Sequence, residues 1–134
     1  MMTTLQETLA RSRDYTLQVA EAMPSSAYDQ RPSEDVFTFR ELIHHIAYGI
    51  HWWTAQFIER QETAWAPPAT GKDKKAVVAY LREAFTGLEK AAAGKLDAAA
   101  TYGVHATLDH VTHHRGAATI YLRSQGITPP EYTY

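Results

Sequence analysis

Seven histidines stand in the chain, at positions 44, 45, 51, 105, 110, 113 and 114, in two groups with a long histidine-free stretch between them. Imidazole is a common neutral ligand for transition metals and also an acid–base group near neutral pH. In the second group His110 and His114 are four residues apart. On a helix they lie about 40° apart around the axis, on one face and close enough for one ion to bridge them. His113 also stands near His110, but it points about 100° away from His114 and cannot join the same site on a regular helix. Ala117 and Tyr121 continue the His110/His114 stripe, and the small Ala117 leaves room beside an ion.

In the first group, Phe39, Leu42, Ile43, Ile46, Ile50, Trp53 and Phe57 mark the core-facing sector of a helix. A helical wheel puts His45 nearer the edge of that sector than His44, which shares the far side with Arg40 and His51 and is expected in solvent. Spacing alone leaves the third ligand open between His45, His44 and His51. A centre of three neutral imidazoles keeps coordination positions for water or substrate, the arrangement of catalytic rather than structural sites. Bound water there would be acidified towards neutrality.

Other residues invite chemistry less strongly. Trp52, Trp53 and Trp65 are expected in the core or a subunit interface rather than around a substrate. Arg115 follows the histidine pair but falls on the wheel among Leu108, Val111 and Leu122, opposite His110, where a structural ion pair is expected. Asp109 is a candidate for orienting a ligand's ring.

Helices must position these side chains. Leu5, Leu9, Val19 and Met23 recur at helical steps, Thr4 and Glu7 have capping-box spacing, and Pro24 ends the segment. Thr38 and Glu41 repeat the box, with Phe37 and Leu42 placed as a hydrophobic staple, so a second helix is expected from about Phe39 to about Gln61. Pro67 and Pro68 break the helical pattern in the connection over residues 63 to 71, long enough to allow a crossover. Asp73 then caps a third helix over roughly Lys74 to Ala93, with Gly94 as its stop. A fourth starts between Val104 and Thr107 and runs to Gln125, before Gly126 and Pro129-Pro130. No strand pattern appears, so the fold class is all-α, a four-helix bundle in which facing helices can build a metal site.

The 134 residues, 45% of them hydrophobic, suit one domain spanning 1–134. A net charge of −2 with mixed signs provides no basic face, and no nucleic-acid partner is expected. The absence of cysteine removes disulfides and thiolate ligands, so any thiol must arrive with a substrate. No apolar run reaches the roughly 18 residues of a membrane span, and a cytoplasmic protein is expected.

The segments Arg40-Glu41-Leu42-Ile43-His44-His45-Ile46-Ala47, Trp52-Trp53 and His110-Val111-Thr112-His113-His114-Arg115-Gly116 resemble the DinB family of small helical metalloproteins. Arg31-Pro32 and the ending from Tyr121 to Pro130 agree with it. The resemblance spans nearly the whole chain and implies the DinB-type bundle, a homodimer, and metal ligands at His45, His110 and His114. It departs from the family pattern at Ala117, where many members carry glutamine. Characterised relatives imply a metal-dependent thiol S-transferase whose small-molecule substrate includes a low-molecular-weight thiol such as bacillithiol, mycothiol or glutathione. The ion is expected to be divalent, zinc or nickel first, with iron or copper also suited to imidazole. A metal-dependent hydrolase using the same ligands, and a non-catalytic metal-binding stress-response or dimerisation module, are the alternatives.

Overall fold

A computed structural model of the chain describes residues 1–132. Four helices, α1 (Thr4–Ala22), α2 (Phe39–Trp53), α3 (Lys74–Ala91) and α4 (Ala98–Ser124), form the molecule, with a 3-10 turn at Ser25–Ala27 and a π-helical extension of α2 at Thr54–Ile58. The described residues contain no strand, and no helix among them is long and apolar enough to cross a membrane.

Capping explains most of the boundaries. Thr38 and Glu41 exchange side-chain and backbone bonds in a capping box, and Asp73 accepts from the Ala76 N–H, both as their spacing predicts. The first box is displaced by one residue: Thr3 and Gln6 make it rather than Thr4 and Glu7. α4 starts well before Val104, because Asp97 accepts from the Ala100 N–H and the intervening alanines favour helix. At its far end Gly126 has φ +75, the left-handed conformation expected of a terminator. Gly94 is not needed as a stop, since α3 ends at Ala91 with Ala92 as its C-cap.

α2 is shorter as a regular helix than its pattern suggests. After Trp53 the backbone widens, Glu59 N–H bonding to Thr54 O at 2.9 Å, and Arg60 turns the chain out at φ 57. Single π turns often occur near functional sites and re-aim the side chains beyond them.

α1 and α2 each pack against both α3 and α4, so α1 lies diagonally across from α2 and α3 across from α4. Residues 23–38 and 92–97 cross the bundle, whereas the Pro67-Pro68 connection joins the neighbours α2 and α3 and is not the crossover. Leu9, Val19, Phe39, Ile43, Ile46, Ile50, Leu81, Phe85, Leu88, Val104 and Leu122 fill the core with essentially no exposed surface. This order sets α2 beside α4, bringing the two histidine groups into range.

Gly103 lets α4 approach the π turn: a Cβ there would stand 2.4 Å from Phe57 Cβ, a backbone-proximal atom that cannot swing away. Gly103→Ala is therefore expected to lower Tm, the overpacking cost of about 1–3 kcal/mol exceeding the gain in helix propensity of roughly 1 kcal/mol. Thermal unfolding followed by circular dichroism measures the sign.

Candidate metal centre

His45 on α2 and His110 and His114 on α4 bring their ring nitrogens together, one from each ring lying within 4.8 Å of the others. His45 Nε2 and His114 Nε2 are 3.1 Å apart. The rings of His110 and His114 have centroids 4.6 Å apart and those of His45 and His110 5.1 Å. Metal–imidazole bonds are about 2.0–2.1 Å long, so modest ring rotation would suffice for three such nitrogens to share an ion.

Three observations fit a divalent cation. First, two imidazole nitrogens at 3.1 Å can satisfy each other only if one carries the proton, whereas a cation takes a lone pair from both. Second, His110 Nδ1 is buried with no hydrogen-bond partner among the described residues, a state that polar atoms normally avoid and that His44 Nδ1 and His51 Nε2 share outside the triad. Third, α2 makes room for that ring with a glycine: a Cβ on Gly49 would meet His110 Cε1 at 2.3 Å and Nδ1 at 2.6 Å.

The electrostatics suit ligation too. Burial, reinforced by the neighbouring histidines, pushes the imidazoles of both His110 and His114 down to about 4. Burial, with a smaller contribution from His44, lowers His45 as well. All three favour the neutral form at neutral pH, and only neutral imidazole can ligate a metal.

His44 is buried rather than solvated. Its Nε2 meets Pro68 O at 3.1 Å and its ring stacks on Tyr80, which also stacks on His51. The α2–α3 connection and α3 cover this side of α2, so neither His44 nor His51 joins the triad. His113 is exposed with its ring edge-on to His114, as its wheel position predicts. Asp109 is exposed, and no hydrogen bond among the described residues joins it to an imidazole.

Arg115 points away from the triad and is buried, but the ion pairs of the described residues do not include it. Its guanidinium instead donates to Thr16 Oγ1 at 3.3 Å and lies over the rings of Tyr15 and Tyr132, at 5.0 and 5.5 Å. Cation–π contact takes the place of the expected ion pair.

A cleft of about 460 Å³ opens on His114, lined also by Phe37, Glu41, Ala117 and Tyr121. The Tyr121 hydroxyl donates to Phe37 O at 2.7 Å and fixes one wall. Trp65, on the α2–α3 connection, stands 5.7 Å from His45 and 6.4 Å from His110 between ring centroids. Trp65, expected in the core or a subunit interface, is not in the core: it is 45% exposed on a loop beside the triad. Gly49 is not singled out by spacing, since its role is to lack a side chain.

A family model described as the DinB superfamily matches residues 8–122. The fold is similar to a crystal structure of a DinB-like protein from Bacillus cereus ATCC 10987, 16% identical, with a TM-score of 0.81 over 97% of this chain and 95% of that one. It is also similar to a DinB-like protein, YjoA, from Bacillus subtilis, 20% identical, with a TM-score of 0.73 over 98% and 99% of the two chains. Comparison with curated proteins gives no significant match.

Gly49→Ala is expected to keep the helical content while displacing His110, cutting metal affinity by about 10–100-fold, the usual cost of disturbing a ligand's positioning. Metal titration with circular dichroism as the control checks it. A second expectation concerns the metal-free protein. His110 and His114 have folded-state values near 4 against an ordinary 6.5, so the unfolded chain binds more protons between those limits. Stability is then full above about pH 6.5 and falls as pH drops towards 4. Tm measured in chelator across that range should decline, and less steeply in His110→Gln.

Proposed function

The chain belongs to the DinB superfamily, and on that premise we propose that His45, His110 and His114 hold a divalent transition metal, zinc or nickel, in a thiol S-transferase. The observation that carries this reading is the meeting of three depressed imidazoles beside an open cleft. A bound divalent cation supplies the positive charge that favours a thiol's ionised form at neutral pH.

The chain's own residues do the rest. His45, His110 and His114 would hold the cation without adding negative charge of their own. The small Ala117 keeps the approach along α4 open, and Tyr121 holds Phe37 at the cleft wall. In the transfer, the sulfur of a low-molecular-weight thiol forms a bond to an electrophilic carbon of the acceptor. The thiol proton goes to solvent, and the acceptor's leaving group departs with its bonding electrons.

Glu41 keeps hydrolysis as a second reading, because its carboxylate lines the same cleft. It is a poor general base, however: bonds from Thr38 hold it below the usual carboxylate range and commit it to the N-terminus of α2. A thiol needs no such base once ionised, which favours transfer over hydrolysis. The homodimer belongs to this reading as well, and Tyr102 and Ile120, exposed on α4, offer apolar surface for a second copy.

Protein loaded with zinc or nickel and then dialysed is expected to retain about one ion per chain and to conjugate a thiol to an aryl halide in a chelator-sensitive manner. His114→Ala should lose both properties, whereas His44→Gln should keep the ion, with elemental analysis and a chromogenic conjugation assay as the measurements. Turnover of an ester without thiol would move the assignment to hydrolysis. Retention of the ion by His114→Ala would remove the triad from it.

A further inference from the structure

We propose that Phe37 and Trp65 form two aromatic walls at the mouth of the histidine triad and select an acceptor that carries a flat apolar group, an aryl ring above all. This rests on the reading of the triad as the reactive centre and adds the class of molecule that it accepts.

Exposed aromatic side chains are unremarkable when scattered, but these two are placed. Phe37 is 43% exposed and Trp65 45% exposed. They come from different connections, one before α2 and one after it, yet both rings lie against His45, at 5.3 and 5.7 Å between centroids. Trp65 also reaches His110. Val36, 39% exposed, extends the apolar edge beside Phe37 in the cleft that His114 lines.

Trp65 is held there from several directions, although its connection is exposed over residues 61–69. The Ala66 N–H donates to Tyr48 Oη at 2.7 Å, and Trp52 Nε1–H donates to Thr63 O at 3.1 Å. Arg40 donates to Gly71 O at 2.8 Å, and His44 Nε2 meets Pro68 O. Its ring stands edge-on to Tyr48, centroids 4.7 Å apart, and against Trp52 at 5.6 Å. Ordering a loop costs conformational entropy, and here that cost secures a large apolar ring in water beside the triad. The main chain of Phe37 is fixed in turn by Tyr121, whose hydroxyl donates to the Phe37 carbonyl, and the Phe37 ring rests on His45. Rigid aromatic walls bind flat apolar groups with little further loss of freedom.

The test uses cobalt-loaded protein, titrated with imidazole and with 4-phenylimidazole while the cobalt absorption band is followed. Wild type should bind the phenyl compound at least about tenfold more tightly, a modest share of what burying a phenyl ring can yield. Trp65→Ala and Phe37→Ala should each remove most of that preference, Trp65→Phe should restore it, and imidazole, too small to reach the walls, should bind all of them alike. A preference unchanged in both alanine variants would overturn the proposal. So would a dimer that dissociates on Trp65→Ala with the preference intact, since Trp65 would then be a subunit contact. If neither compound perturbs the cobalt band, the metal centre is what has failed. Quenching of tryptophan fluorescence by 4-phenylimidazole then decides the walls: loss of quenching in Trp65→Ala supports them and its persistence rejects them.

Discussion

Three imidazoles packed between two helices set nitrogen lone pairs where few partners reach them. His45, His110 and His114 are partly withdrawn from water, their protonated forms disfavoured by burial and by one another. Hydrogen bonding inside the cluster can satisfy one pair of nitrogens, His45 with His114, and leaves His110 Nδ1 with no partner among the described residues. An apolar cluster of the same volume would pack there at lower cost, since buried polar groups without partners are expensive. The triad makes physical sense as a place where a cation contributes what the protein does not.

Topology and glycine bring this about together. Diagonal placement of α1 and α2 makes α4 a neighbour of α2, so residues far apart in sequence face each other across one seam. At two points the seam closes only because a side chain is missing, Gly49 opposite His110 and Gly103 opposite Phe57. The first sets the position of the His110 ring. The second seats the π turn against α4, just before the chain leaves to form the connection bearing Trp65.

Much of this was legible in the residues themselves. Apolar periodicity and capping located the four helices, and the four-residue step placed His110 and His114 on one face. The wheel put His45 nearer the core edge than His44 by a small margin, and family resemblance decided between them. What could not be read was set by contacts between segments. α4 begins early because Asp97 caps it, which the alanine-rich stretch after it conceals. Regular α2 stops at Trp53 because the backbone widens into a π turn, invisible to a 3.6-residue pattern. Arg115 finds tyrosine faces and the Thr16 hydroxyl rather than a carboxylate, and nothing in its neighbours' spacing announces α1 as the source of that hydroxyl.

His44 shows why wheel and structure part company. Its side chain faces away from α4, and a two-helix view leaves it in water. The α2–α3 connection and α3 close over that side, so that Pro68 O meets one ring nitrogen and Tyr80 covers a face. The same connection, pinned along α2 by Tyr48, Trp52 and Arg40, presents Trp65 on the other side of the helix, against His45. Two adjacent histidines thus take opposite parts: His44 helps hold the connection down, and His45 receives the aromatic ring that the connection carries. The distinction between them comes from the covering segment as much as from the helix that bears them both.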